Sequence, residues 1–529
     1  MEETNGSSNI HSVTSSDPPF LFHRGEGYKR HRLPIGSKVI YANPALPPLP
    51  DRRAAIRHAI DHPLGTEPLA AQLRAGMKVT IAFDDVSLPV PAMARPDIRQ
   101  SVLEVVIDHL DRAGVTDIEL ICAICLHRRV TPAELKHMLG PTIFRRFWPE
   151  HLRNHDAEDP EGNVSLGTTS TGEEVELNRR AVESDLLIYL NINLVTMDGG
   201  HKSVPIGLAT YKSVRHHHNA DTLLHHSSYM DPPRSAFHRS CERMGAVVAK
   251  HIKVFAIETT LNGDLFPGVI AFLQKRERLW NLRDRLMYHG SRLGMKSLPS
   301  SLRRKFYQAL PAPYGLTGVH AGATDPVHQA TIANCDRQQE VRIPEQADIV
   351  LVGLPSIGPY NVNSILNPIL VQCLSAGYFF NFYRNQPLVR KGGVMIIDHP
   401  LEDKFNMVHH PSYYDFFEDL LTQTRDPKEL ERRFEKSYAE NDRYRHLYRT
   451  SYAYHGVHPF YMWYWGAHGM AHMGKVIVVR PRSGRAAQRI GFESAPSMDA
   501  AIGMAKDFVG GQARIYYYHC PPIIMCALP

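Results

Sequence analysis

Short apolar runs of strand length alternate with stretches of helical periodicity along most of the chain. Residues 78–83 (KVTIAF) form one such run, which ends at Asp84 and Asp85, and residues 98–113 have the periodicity of a helix. Another helix is predicted to begin after Thr131, because Glu134 completes a capping box with it. The predicted strands of the first half are 78–83, 118–126, 185–190 and 254–257.

The second half repeats this alternation. Its predicted strands are 348–354, 393–397, 475–479 and 514–518, and its clearest predicted helices are 364–376 and 498–508. Strands that alternate with helices are typical of parallel sheets covered by helices. The pattern therefore predicts an α/β protein with two α/β domains, mostly parallel sheets flanked by helices, and a cleft between the domains.

Turn residues accumulate at 311–344, where we place a domain boundary. We predict a disordered N-terminal segment at 1–35, a first domain at 36–335 and a C-terminal α/β domain at 340–529, with the alternative that the last helix returns to the first domain. Residues 274–308 are rich in arginine and lysine, and residues 426–449 are strongly charged. Both are predicted to be helical with solvated faces.

Composition narrows the class of protein. The chain has 529 residues, 43% hydrophobic and 22% charged, which is ordinary for a globular protein with two or three cores. A net charge of +6 without a basic block interleaved with aromatics argues against a nucleic-acid partner. No apolar run reaches the roughly 18 residues that span a bilayer, so no membrane partner is expected.

The seven cysteines are odd in number and scattered, which predicts a reducing compartment and a cytoplasmic location. Cys122 and Cys125 form a CxxC inside the apolar run IELICAICL. Without a second CxxC, they are predicted to be buried strand cysteines and not a zinc or redox site.

Residues 197–219 (MDGGHKSVPIGLATYKSVRHHHN) carry the densest candidate chemistry. Gly199 and Gly200 allow a tight turn whose N–H groups can face an anion. Lys202 follows them and can act as a phosphate partner or as an amine nucleophile. The histidines at 216–218 are possible metal ligands, although the stretch taken alone is better explained by a glycine turn, a solvated lysine and a surface histidine cluster.

Several of these side chains follow predicted strands directly. Asp84 and Asp85 end one strand, His127 follows the next, and the loop 191–202 follows a third. Ligands of parallel α/β sheets bind beyond the carboxyl ends of the strands. These residues are therefore predicted to share one cleft.

The chain resembles the lactate racemase family, whose members use a nickel-pincer nucleotide cofactor. AFDDVSLPVP resembles the family's DD-x-T-R-P-x-P, and GGHKSVPIGLAT resembles its G-G-A-K-x-x-x-P-G-(I/L)-A. Further similar stretches follow in the family's order: AGVTDIELICAICLHRRVTPAEL, RNHDAED with LGTTSTGEEVELNRRAVESDLLI, DPPR, and GFESAPSMDAAIGMAKDF. Six motifs in order identify the chain as similar to this family from about residue 78 to 508.

The resemblance implies roles for individual residues. Lys202 stands where the family attaches its pyridinium mononucleotide through a thioamide, and His218, sixteen residues later, stands where a histidine binds nickel. Asp85 would hydrogen-bond the nucleotide, and Trp463 or Trp465 would stack on the pyridinium. His127 matches one of the two histidines that take the hydroxyl proton of a 2-hydroxy acid while its hydride passes to the cofactor.

The chain also departs from the family's pattern. The second histidine is missing, because its region reads Asn191-Ile192-Asn193, and His201 or a member of 216–218 is the available substitute. Leu88 replaces an arginine that holds the substrate carboxylate. Asn367 and Leu370 align with a glutamine and a lysine, which leaves Arg95 or Arg128 as replacement cations. The substrate pocket is therefore expected to be altered.

The resulting hypothesis is a nickel-pincer-dependent racemase or epimerase (an isomerase) that acts on a secondary alcohol by proton-coupled hydride transfer. The alternatives are a net-redox member of the family and a non-catalytic member that binds the cofactor or a nucleotide. The expected partners are a small-molecule substrate and cofactor-synthesis proteins.

Overall fold

A computed structural model of the protein describes residues 9–88, 92–225 and 227–529. The first sheet has six strands, of which five are parallel and the edge strand Leu316–Gly322 is antiparallel to its neighbour. In spatial order the strands are Leu316–Gly322, Val254–Leu261, Leu186–Asn193, Lys78–Asp84, Asp117–Ala123 and Leu152–Asn154.

The second sheet has seven strands and is parallel except where Ile10–Ser12 pairs antiparallel with Lys38–Tyr41. In spatial order the strands are Ile10–Ser12, Lys38–Tyr41, Ile515–His519, Ala347–Gly353, Val389–Asp398, Lys475–Val479 and Glu493–Ala495. Two mostly parallel sheets confirm the predicted α/β class. Smaller sheets pair Phe20–Arg24 with Gly27–His31, Asn163–Thr168 with Glu174–Asn178, and Met525–Ala527 with both Glu340–Arg342 and Tyr383–Arg384.

Helices connect the strands. The α-helices that precede the second sheet's central strand are Arg52–Asp61, Leu69–Gln72, Ile98–Arg112, Pro132–Phe147, Arg179–Val182, Ser203–Gly207, Tyr211–Val214, Ala220–Leu223, Ala236–Val248, Leu282–Ser297, Ser300–Ala309 and Thr324–Gln339. Those that follow it are Pro368–Gln372, Pro411–Asp415, Pro427–Leu430, Lys436–Ala439, Asp442–Thr450, His458–Trp465, Ala467–His472, Gly484–Arg489 and Met498–Val509. The predicted capping box is present, with Thr131 and Glu134 bonded to each other's backbone N–H groups.

Residues 9–35, which we expected to be disordered, contain three strands. Phe20, Leu21 and Phe22 are buried, and the ring of Phe22 stacks on Tyr517 at a centroid distance of 3.8 Å. The prediction was wrong here because it followed the polar composition of the first nineteen residues and overlooked the apolar segment FLFHR. Residues 1–8 lie outside the described part of the chain.

The charged segment 426–449 is also not one solvated helix. The helical structure is interrupted before Asp442–Thr450. There the Asn441 side chain accepts from the N–H groups of Arg443 and Tyr444 and so caps a new helix. Glu435 in the first part is buried and accepts from Tyr464 Oη at 2.9 Å.

The last helix, Met498–Val509, stays with the second sheet. It packs against Val389–Asp398, Lys475–Val479 and Glu493–Ala495, and its apolar face shares a core with Ile396. It does not return to the first domain.

Candidate functional site

The carboxyl ends of three adjacent parallel strands of the first sheet form one wall of a cleft. Its free space is about 920 Å³, part of it open to solvent. The facing wall comes from the second half of the chain and consists of Pro359, Tyr360, Tyr378 and Trp465. Among the predicted site residues, the cleft brings together Asp85, His127, Gly199, Lys202, His218 and Trp465.

Asp85 holds His127 in this cleft. The distance from Asp85 Oδ2 to His127 Nδ1 is 2.9 Å, and the Ser87 N–H donates to Asp85 Oδ1 at 2.8 Å. Burial opposes the charge of Asp85, but the adjacent His127 and the bonds from Ser87 bring its pKa below the ordinary value. The described contacts of this carboxylate therefore orient the imidazole, whereas we had expected it to bind a nucleotide.

Asp84 is the second carboxyl group of the cleft. Its Oδ2 accepts from the Ile192 N–H at 2.8 Å and its Oδ1 from Asn191 Nδ2 at 3.0 Å. Burial raises the pKa of Asp84 to about 7, and the neighbouring charge of Asp198 acts in the same direction. Asp84 thus exchanges a proton near neutral pH, which the sequence alone did not indicate.

Lys202 reaches the cleft from a short helical turn that follows the glycine pair. Its Nζ lies 3.1 Å from Asp198 Oδ1, one helical turn earlier in the chain. The next residue, Ser203, donates to Asn191 Oδ1 at 2.8 Å. These contacts fix the loop 191–202 against the strand ends, and the i,i+4 spacing of Asp198 and Lys202 was a signal in the sequence that we did not use.

The three consecutive histidines face different surroundings. His216 lies 3.9 Å from Glu174, and His217 is fully buried, which lowers its pKa to about 3. Only His218 of the three lines the cleft. Its Nδ1 lies 2.6 Å from His217 Nδ1, so its Nε2 is the ring nitrogen left to bind a ligand. Burial keeps the pKa of His218 well below its ordinary value, and the imidazole is neutral.

The structure distinguishes the two candidate tryptophans. Trp465 lines the cleft and lies in a stacked arrangement with His218, at a centroid distance of 5.3 Å and an interplanar angle of 21°. Its buried indole N–H has no hydrogen-bond partner among the described residues. Trp463 lies elsewhere, where its Nε1 donates to the Arg425 carbonyl at 3.0 Å and its ring packs near Phe416.

The glycine pair makes the turn, but its N–H groups are not both free. Both glycines have positive φ angles, and a Cβ on Gly199 would lie 2.3 Å from Asn193 Nδ2. The Gly200 N–H donates to Glu258 Oε1 at 2.6 Å. The pair therefore allows close packing against Asn193 and Glu258, and the Gly200 N–H is bonded to a side chain of the protein and not directed at a ligand anion.

Three of the residues proposed as substitutes, His201, Arg95 and Arg128, lie outside the cleft. His201 pairs with Asp325 at 2.8 Å, and Arg128 is buried against Glu134 at 2.7 Å. Arg95 donates to His137 at 3.2 Å. None of these three residues lines the described part of the cleft. They therefore do not replace the second histidine and the two cations of the family's pattern.

The aligned positions of the second half have structural roles. The Asn367 side chain accepts from the Leu370 N–H and caps the helix Pro368–Gln372, and Leu370 is buried. Leu88 does line the cleft, while residues 89–91 of the motif AFDDVSLPVP lie outside the described residues. Lys202 is the only lysine or arginine among the residues that the structure describes as lining the cleft.

Tyr360 and His458 were missed in the sequence. The Tyr360 ring meets His127 edge-on at a centroid distance of 5.2 Å, and His458 meets His127 at 5.3 Å. His458 Nδ1 lies 2.5 Å from Tyr413 Oη, so this ring nitrogen is hydrogen-bonded to the tyrosine. No local motif marks them, because they approach His127 only through the packing of the second half on the first.

The donor set fits a metal bound through a cofactor better than a metal bound by protein alone. Among the described residues, no group of three or more histidine, cysteine, aspartate or glutamate side chains could hold a metal ion. A cofactor that brought three donors of its own would need only one protein ligand, and His218 Nε2 would be available for that bond. The seven cysteines are all buried, and none forms a disulfide.

Residues 25–231 match the sequence model of the lactate racemase N-terminal domain. This part of the chain is therefore similar to a lactate racemase N-terminal domain. It is 24% identical over 173 residues to the lactate racemase of Thermoanaerobacterium thermosaccharolyticum, covering 32% of this chain and 38% of that protein. It is 26% identical over 191 residues to that of Lactiplantibacillus plantarum, covering 33% and 43%. The chain thus spans about two fifths of the curated lactate racemases it matches.

Two solved structures resemble the whole fold. The lactate racemase apoprotein from Thermoanaerobacterium thermosaccharolyticum aligns with a TM-score of 0.61 and 17% identity, over 96% of this chain and all of the other. A protein from Thermotoga maritima aligns with a TM-score of 0.50 and 14% identity, over 92% of this chain and all of the other. At this identity the likeness shows the lactate racemase-like fold.

Proposed function

We propose that the protein is a racemase or epimerase of a secondary alcohol that works by proton-coupled hydride transfer with a nickel-pincer nucleotide. The observation that carries the proposal is the convergence of His127, Lys202, His218 and Trp465 in one cleft. These residues come from separate loops and from both halves of the chain. A purely structural role gives them no reason to meet.

Lys202 and His218 would hold the cofactor. The Lys202 amine would attach the cofactor as a thioamide, and His218 Nε2 would be the protein ligand of nickel, a metal that accepts sulfur and imidazole donors. Trp465 would cover the ring system, and its unpartnered N–H is available to an acceptor on the ligand. When bound, the group supplies a reversible acceptor for a hydride equivalent.

His127 would take the proton of the substrate hydroxyl. Its Nδ1 is held by Asp85, so Nε2 faces the substrate side as the base. The negative charge of Asp85 stabilises the imidazolium that forms. The proton leaves the oxygen as the hydride leaves the carbon, and both return in the reverse direction.

Racemisation needs a second proton-transfer group for the other face of the keto product, and Asp84 is our candidate. It lines the cleft and accepts a bond from Asn191, in the region where the family has its second histidine. Burial gives this carboxyl a pKa of about 7, so both protonation states are populated near neutral pH.

The substrate would carry an apolar substituent in place of a small carboxylate held by cations. Leu88 belongs both to the cleft and to an adjacent cavity with about 1300 Å³ of space. Apolar side chains dominate that cavity, and its charged members are paired, Asp97 with Arg99 at 2.8 Å and Glu134 with Arg128. Such a wall favours burial of apolar groups and penalises an unpaired carboxylate.

The decisive test is intact-mass spectrometry with metal analysis on protein co-expressed with cofactor-making enzymes. We expect an adduct on Lys202 and about one nickel per chain. Lys202→Ala removes the adduct and His218→Ala removes nickel, while the neighbours Lys212→Ala and His216→Ala keep both. An unmodified, nickel-free wild-type chain from that host would overturn the proposal.

A second candidate is a non-catalytic carrier of the cofactor. It is favoured by Asn191 in the region of the second histidine and by Leu88 in place of a cation. A loaded protein that transfers no deuterium from any 2-deuterated alcohol in a broad panel would support the carrier. Deuterium that returns to the product with inverted configuration would support the racemase.

A further inference from the structure

The helix Leu282–Ser297 presents a stripe of leucines to solvent. Leu282 is 73% exposed, Leu286 63% and Leu293 74%. At about 100° per residue these three lie within roughly 40° of one another around the helix axis. Isolated exposed leucines need no explanation, but a stripe on one helix face does.

The opposite face of this helix packs against the rest of the protein. The leucines are therefore exposed on a helix that is held in place. Asp284 is buried and pairs with Lys275 at 2.9 Å. Tyr288 is buried, and the Arg30 guanidinium lies 4.5 Å from the centre of its ring. The helix thus has an inner face bound to the protein and an outer face of leucines.

The next helix, Ser300–Ala309, continues the pattern. Leu302 is 50% exposed and Phe306 is 56% exposed, four residues apart on one face. Arg303 of this helix donates to the Met295 carbonyl at 3.2 Å, which fixes it against the end of the first helix. Leu279, just before the first helix, is exposed as well.

Basic residues surround these apolar positions. Residues 275–305 contain ten lysines and arginines against two acidic residues, a net charge of +8, while the whole chain has only +6. The flanks of the leucine stripe include Arg283, Arg285 and Arg292, which are all exposed. Lys275, Arg278 and Arg304 pair with Asp284, Asp17 and Glu26. The basic residues still outnumber the acidic ones on the surface that exposes the leucines.

We propose that residues 279–306, the leucine–arginine surface, bind the surface of an anionic lipid bilayer. A helix that lies in the membrane interface has an apolar stripe flanked by basic side chains, and each basic residue adds to the attraction of anionic headgroups. Among the described residues no helix is long and apolar enough to cross a bilayer. The expectation of no membrane partner considered only spanning segments, and a helix pair lying on the surface needs none.

Charge selects lipid over a second copy of the chain as the occupant. Residues 279–306 contain seven lysines and arginines against one acidic residue, so a two-fold symmetric contact through this surface would place two positively charged patches against each other, and like charges disfavour such a contact. An anionic bilayer can bury the leucines at its interface and attract the arginines to its headgroups. The proposal is independent of the chemistry in the cleft.

Vesicle co-sedimentation tests this proposal. We expect the full-length protein to pellet with vesicles of phosphatidylcholine and phosphatidylglycerol, not with phosphatidylcholine alone, and to be released by added salt. The triple variant Leu282→Gln/Leu286→Gln/Leu293→Gln should bind about 10-fold more weakly or worse. Arg283→Glu/Arg285→Glu/Arg292→Glu should lose the preference for anionic vesicles.

The matched control is Met407→Gln/Val408→Gln, which changes exposed apolar residues outside the surface and should bind like the wild type. Thermal unfolding confirms that each variant folds, since the changed side chains point to solvent. Equal pelleting of wild type and leucine variant would overturn the proposal. So would a dimer in light scattering that the leucine variant abolishes, because a second copy would then cover the surface.

Discussion

The half-buried imidazole of His127 and the buried carboxylate of Asp85 form a pair across two strand ends, with 2.9 Å between Nδ1 and Oδ2. The strands that carry them, Lys78–Asp84 and Asp117–Ala123, are adjacent and parallel, and register places Asp84 opposite Ala123. The pair therefore follows directly from strand pairing, since each residue lies just beyond its strand.

Asp85→Asn should lose this charge-assisted bond and make the stability less dependent on acid pH. A carboxyl whose folded pKa is depressed stabilises the fold above its unfolded pKa near 4, and this is lost as the pH falls through the folded value. We expect the variant to be about 1–3 kcal/mol less stable at pH 7. Urea unfolding at several pH values measures this, and Asp117→Asn is the control at an exposed strand residue. A constant gap between wild type and variant from pH 7 to 3 contradicts the prediction.

Asp84 should have the opposite effect on how the stability of the fold depends on pH. Its pKa in the fold is raised to about 7, so the folded protein keeps a proton that the unfolded chain releases above pH 4. Stability therefore falls as the pH rises from 4 to 7, by about 2–4 kcal/mol from this group. Asp84→Asn should remove that slope and be more stable than wild type at pH 8.

Glu435 titrates in a similar range and needs its own control. Burial raises its pKa to about 8, and Tyr464 and Tyr211 donate to its carboxylate. Glu435→Gln should therefore also reduce the fall of stability with rising pH, and its contribution should extend about one pH unit higher than that of Asp84. If the double variant keeps the wild-type slope between pH 5 and 8, both assignments fail.

Gly199→Ala should destabilise the turn before Lys202. The new Cβ would lie 2.3 Å from Asn193 Nδ2 and 2.5 Å from Glu258 Oε1, at a φ of 85°. A left-handed conformation alone costs an alanine about 1–2 kcal/mol, and the clash adds to it. Gly503→Ala is the matched control, since its Cβ meets nothing within 4 Å in a helix and should stabilise by about 0.5–1 kcal/mol. A chemical denaturation series that ranks the two variants in the reverse order would sink the assignment.

The two tryptophans should separate by nickel content. Trp465→Leu removes the ring that stacks near His218, so we expect less nickel per chain in protein loaded as described above. Trp463→Leu removes a bond to the Arg425 carbonyl in the core and should lower stability by a few kcal/mol while nickel is retained. Metal analysis and urea unfolding of both variants give the comparison, and equal nickel loss would contradict it.

The sequence predicted the sheets well because their strands are short apolar runs whose ends carry polar residues. Asp84, His127 and the loop at 191–202 meet as predicted, since adjacent parallel strands end at one edge. The kink at Gly140, where φ is 77°, divides the helix Pro132–Phe147 without a break in its apolar pattern, so periodicity could not reveal it.

What the sequence could not predict are contacts between distant segments. The choice of Trp465 over Trp463 depends on which side of the helix His458–Trp465 faces the cleft. Likewise, the raised pKa of Asp84 comes from burial, which the dipeptide Asp84-Asp85 does not reveal. Exposure of Leu282 and its neighbours is equally invisible in a sequence whose leucines otherwise fill cores.

The pairing of Lys38–Tyr41 with Ile515–His519 joins the two ends of the chain in one sheet, in parallel register from Lys38 opposite Tyr516 to Tyr41 opposite His519. During synthesis, the early strand leaves the ribosome long before its partner exists, while every strand of the first sheet is already complete. The edge of Lys38–Tyr41 that pairs with Ile515–His519 stays open until those residues have been synthesised. A chain that stops before residue 515 therefore leaves one edge of the strand Lys38–Tyr41 open, and open strand edges favour association with other chains.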